Sequence, residues 1–87
     1  MERHIEPRVI LLAAEKIRQE GTLMDGKHVH QQISLEISFD GYTITISDLN
    51  VSLSLFFHNK IKVECKHTRD IDVFYSKLCR LAEHHVN

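Results

Sequence analysis

Between Ile33 and Cys65 the side chains alternate apolar and polar through four short runs, ISLEISF, YTITIS, VSLSLFFH and IKVEC. The runs are parted by Asp40-Gly41, Asp48-Leu49-Asn50 and Asn59-Lys60. In a strand, successive side chains point to opposite faces, whereas a helix would scatter this pattern around its circumference. One face therefore collects Ile33, Leu35, Ile37, Phe39, Tyr42, Ile44, Ile46, Val51, Leu53, Leu55, Phe57, Ile61, Val63 and Cys65. The other collects Ser34, Glu36, Ser38, Thr43, Thr45, Ser52, Ser54, Phe56, Lys62 and Glu64. Such alternation marks antiparallel strands with one buried and one wet face. Asp40-Gly41 is a strong hairpin signal, because both residues tolerate positive φ. Connections this short exclude parallel pairing, which needs a crossover of about a dozen residues.

The apolar face needs cover, and the flanking segments supply it. Glu6-Pro7 opens a helix, since proline fits the first turn, where its missing N–H is not used. Val9, Ile10, Ala13, Ala14 and Ile17 form a stripe at helical spacing, widened by Leu12, and Gly21 is expected as a left-handed stop. Thr68 or Asp70 is expected to cap a second helix, with Asp72 in its first turn. Its stripe is Ile71, Phe74, Tyr75, Leu78, Leu81 and Ala82. Between Thr22 and Gln32 the pattern weakens. Asp25-Gly26 reads as a hairpin turn, and Lys27 to His30 as a short polar edge strand. The expectation is one α+β domain over residues 1–87. It has two layers, in the order helix, antiparallel meander of four or five strands, helix, with both helices on one face of the sheet.

Composition narrows the function classes. Eleven Lys and Arg against 12 Asp and Glu leave a formal charge of −1. That disfavours nucleic acid, whose binders need a basic excess. A nucleic-acid platform on the open sheet face would also need several aromatics and cations. Phe56 and Lys62 stand there against Glu36 and Glu64. The longest unbroken apolar run, Val9 to Ala14, is too short to span a bilayer. With no secretory pattern in view, the expectation is a cytoplasmic protein, not membrane-bound, whose Cys65 and Cys79 stay as thiols.

The motifs of nucleotide binding, zinc proteases and calcium loops are missing. Seven histidines are many for this length. His28 and His30 would share one face of a strand with Asp25 nearby, a spacing able to hold a transition metal. A third ligand is not apparent, so the pair reads first as two exposed polar residues in a loop or edge strand. Cys65 continues the apolar alternation of its strand and reads as a small buried hydrophobe. Phe56 is the anomaly, an aromatic on a face of Ser and Thr. It is a lone exposed apolar residue, as is common on surfaces, or is covered by the segment 22–32, or is offered as a contact.

The stretch FDGYTITISDLNVSLSLFFHNK, Phe39 to Lys60, resembles a group of small gamma-proteobacterial proteins catalogued as a domain of unknown function. The resemblance implies a bacterial cytoplasmic origin and carries no activity, ligand or catalytic residue. The residues themselves favour a non-catalytic protein-interaction or regulatory module, a homodimer or a partner of another protein, with no cofactor. Its expected contact surface is Phe56 with Ser54, Ser52, Thr43 and Thr45. The alternatives are a small metal-binding protein or enzyme using His28, His30 or His58, and a nucleic-acid binder acting through the open sheet face.

Overall fold

The computed structural model describes residues 5–56 and 60–83. Within them the order is α1 (Pro7–Glu20), β1 (Thr22–Met24), β2 (Lys27–His30), β3 (Ile33–Ile37), β4 (Ile44–Ser47), β5 (Val51–Phe56), β6 (Lys60–Cys65) and α2 (Thr68–Glu83). The strands form one antiparallel meander in chain order, flanked by the two helices as the alternation predicted. It has six strands where four or five were expected. The difference is the hairpin β1–β2. Asp25 and Gly26 turn it with φ of 52° and 79°, both in the left-handed region that a two-residue hairpin requires. The expected edge strand Lys27–His30 is thus the second strand, with β1 outside it.

Local chemistry sets the helix ends. Pro7 occupies the first turn of α1, and the Glu6 carbonyl accepts from the amides of Val9 (3.1 Å) and Ile10 (3.3 Å). Gly21 ends α1 in an extended conformation, φ −80° and ψ 167°, not the left-handed one expected. Glycine is required there for room, because a Cβ would lie 2.5 Å from the Ile17 carbonyl oxygen and 2.8 Å from that of Val29. Thr68 and Asp70 lie inside the first turn of α2 rather than capping it, and Asp72 falls beyond that turn. The His67 carbonyl accepts from the Asp70 amide at 3.0 Å in the cap position.

Register turns the alternation into rows. Leu35, Ile46, Leu53 and Val63 face one another across β3 to β6, and Ile37, Ile44, Leu55 and Ile61 form the next row. Helix α1 packs on β2 and β3, α2 packs on β5 and β6, and the helices pack on each other. Ile10, Ala13, Ala14 and Ile17 of α1 meet Phe74, Tyr75, Leu78 and Leu81 of α2 in one cluster with the buried strand residues. Leu35, Ile46 and Leu53 are almost wholly enclosed there. The Glu6 amide donates to the Tyr75 hydroxyl at 3.0 Å and ties the start of α1 to the middle of α2.

Four residues assigned to the buried face are exposed, the first being Ile37 at the end of β3. Phe39 is fully exposed and Tyr42 largely so, because β3 stops at Ile37 and both side chains belong to a loop past the helices' reach. Cys65 is exposed because it ends the edge strand β6. The Asn59-Lys60 turn lies partly outside the described residues, and β6 begins at Lys60 instead of Ile61. Phe57 also lies outside them.

Candidate functional site

The open side of the sheet carries two polar rows. Glu36, Thr45, Ser54 and Lys62 lie side by side, and Ser34, Ser47, Ser52 and Glu64 form the neighbouring row. The Thr45 and Ser54 hydroxyls share a hydrogen bond at 3.2 Å. Lys27 of β2 stands 3.6 Å from Glu36, extending the first row toward β1. Of the expected contact surface, Thr45, Ser52 and Ser54 are brought together. Phe56 is half-buried and pairs with Lys60 at the end of β5. Thr43 precedes β4, where the same register carried one residue further sets it beside Phe56. The segment 22–32 forms β1 and β2 at the far side of the sheet order and does not cover Phe56.

Beyond Ile37 the chain turns through a hydrogen-bonded loop. The Gly41 amide donates to the Ser38 carbonyl at 2.9 Å, with Gly41 at φ 79°. The Asp40 carboxylate accepts from the Ser38 hydroxyl at 2.5 Å and from the Tyr42 amide at 3.0 Å. The Ser38 hydroxyl in turn accepts from the Thr43 amide at 3.0 Å. These bonds, the Ser38 hydroxyl first, hold the Asp40 carboxyl below its ordinary range. The ordered loop presents Phe39 and Tyr42 outward.

Strand β6 is an edge of the sheet among the described residues. Its open side carries Lys60, Lys62 and Glu64, all exposed, and its helix side carries half-buried Ile61 and Val63. The opposite edge, β1, has only three residues.

His28 and His30 share a face, as the spacing required, and it is the helix-facing one, since they pair with Leu35 and Ile33. No group of three His, Cys, Asp or Glu able to hold a metal occurs among the described residues. His58 lies outside those residues. His30 instead lines a cleft of about 520 Å³, with Lys16 and Glu20 of α1, Gln31 and Ile33 beside it, and Lys77, Arg80 and Leu81 of α2. Lys16 forms an ion pair with Glu20, and its hydrogen bond lowers the Glu20 carboxyl pKa against the opposing effect of desolvation. Three cations from two helices thus meet at one place. The sequence offered only Lys77 and Arg80 three positions apart as a sign, and it reads there as a solvated helix face.

Cys65 and Cys79 are both free, the second half-buried beside the α2 stripe. No helix among the described residues is long and apolar enough to cross a membrane. No curated protein and no solved structure matches the chain. Residues 5–87 match the family described as protein of unknown function (DUF3081), and the chain belongs to that family.

Proposed function

We propose that the protein is a small non-catalytic interaction module that works as a homodimer, two copies pairing antiparallel along β6. The observation that carries this reading is the charge order of that edge. A two-fold axis through Val63 sets Lys62 of each copy opposite Glu64 of the other, twice over. Ile61 then faces Cys65, and the apolar rows of both sheets run on as one. Other registers are poorer. An axis through Lys62 opposes that lysine to itself, and an axis through Glu64 opposes two carboxylates. A shift of one residue sets Lys62 against Val63 and mixes the wet and apolar sides. In the favoured register only Lys60 meets a like charge, Lys66, and both are exposed to water. Each Lys62–Glu64 pair contributes roughly 0.2–1 kcal/mol, added to the backbone bonds that an unpaired edge offers.

Pairing of this kind keeps all four helices on one side and doubles the open face. Thr43, Thr45, Ser52, Ser54 and Phe56 of both copies then lie on one face, on either side of the central Lys62–Glu64 pairs, and form the surface we assign to a further protein partner. Small hydroxyl side chains lose little entropy on docking, and an aromatic can anchor a contact. We place the module in the cytoplasm, where its two free thiols would stay reduced.

Light scattering coupled to size exclusion tests the dimer. Wild type is expected at twice the chain mass, Lys62→Glu as a monomer, and Lys62→Glu combined with Glu64→Lys as a dimer again. A monomeric wild type, or a dimer that ignores Lys62→Glu, sinks the edge pairing. Phe56→Lys is expected to leave the dimer intact. If it splits the dimer while Lys62→Glu does not, the open faces pack on each other instead.

A further inference from the structure

We propose that the cleft between the C-terminal halves of α1 and α2 binds a small molecule carrying a phosphate group. Its lining holds Lys16, Lys77 and Arg80 against one carboxylate, Glu20, in a chain whose formal charge is −1. That single acid is engaged by Lys16. Lys77 and Arg80 make no ion pair or hydrogen bond among the described residues. They stand three residues apart on α2, where like charges disfavour one another. A cation in the last turn is favoured by the helix carbonyls, which accounts for Arg80. Lys77 lies nearly a turn earlier and has no such explanation.

A phosphate dianion answers that excess. The guanidinium of Arg80 is a planar fork that matches two phosphate oxygens, and the Lys77 ammonium supplies a mobile point charge. His30 adds a ring donor from the β2 side, and Gln31 an amide. Ile33 and Leu81 give the cleft an apolar wall. Its volume of about 520 Å³ falls in the usual range for small-molecule sites and exceeds what an inorganic ion fills. The phosphate is therefore expected to carry an organic group. The site lies by β2 and the helix ends, away from β6, so it does not depend on the dimer.

Inorganic phosphate and glycerol phosphate are the probes, titrated at constant ionic strength and followed by the backbone amide signals of uniformly labelled full-length protein. Saturable shifts are expected at Gln31, Lys77 and Arg80, with a Kd on the order of 1 mM for phosphate and a lower value for the ester. Lys77→Gln with Arg80→Gln should weaken binding at least about tenfold while the melting temperature holds, and exposed Lys66→Gln should change nothing. Were the double variant to melt early, each single variant is read instead, and each should still weaken binding. Shifts that chloride reproduces, or binding that survives both substitutions, overturn the site. Succinate binding as tightly as phosphate overturns the phosphate assignment.

Discussion

Two neighbouring rows on the same side of the sheet differ at their β3 end, although Leu55 of the outer row is only 5% exposed. Leu35, Ile46 and Leu53 lie under the helices, and Leu35 is 1% exposed. One step along the strands, Ile37 is 47% exposed although its pattern and partners are equally apolar. Phe39 and Tyr42 continue the trend into open water. Both rows obey the same alternation, so alternation reports the side of the sheet and not its cover. Cover depends on where two helices of 14 and 16 residues come to rest, and they leave the Ile37 end of the second row open while enclosing Leu55 in that same row.

The comparison breaks most sharply with a charge. Leu53→Asp places an unpaired carboxylate among Phe74, Leu78 and their neighbours, a loss of several kcal/mol that should abolish the cooperative thermal transition. One residue on, Ser54→Asp should cost about 1 kcal/mol or less, with Lys62 directly across to meet the carboxylate. Equal losses in the two melts would mean that both sides of the sheet are enclosed.

Truncation sharpens the difference within the apolar side. Leu35→Ala should cost about 2–5 kcal/mol by emptying space the helices cannot refill. Ile37→Ala removes a side chain already half in water, and should cost about 1 kcal/mol or less. Urea midpoints of the two variants decide this. A loss at Ile37 matching that at Leu35 would show that something covers the hairpin end in solution.

The smallest effect concerns the loop at that end. Because its folded pKa is lowered, Asp40 supports the loop above its ordinary value of 3.8. That support fades as the pH falls through the lower folded value. The Tyr42 and Thr43 amide signals should therefore move together with a midpoint below 3.8. A midpoint at or above that value would mean the carboxylate bonds do not persist.

Much of the architecture was legible because it rests on local chemistry. The Asp40-Gly41 and Asp25-Gly26 turns announce themselves through residues that tolerate positive φ. The turn from β2 to β3 does not, since Gln31 and Gln32 adopt φ of 52° and 68° with nothing in their type to favour it. There the pairing of the flanking strands imposes the conformation, which is why β1 and β2 were hard to read. Of the expected contact surface, the period of two placed Thr45, Ser52 and Ser54 together. It could not foresee that β3 would end before Phe39.

By itself, then, the amino-acid sequence determined the antiparallel meander, its two sides and the helices before and after it, because side-chain period and turn preference act between near neighbours. Only the tertiary structure decided which members of the apolar rows are enclosed, that Gly21 serves to admit the Val29 carbonyl, and that Lys16, His30, Lys77 and Arg80 surround one cleft. Those outcomes depend on contacts between residues far apart in the chain, set by how two helices share one sheet, and no local period encodes them.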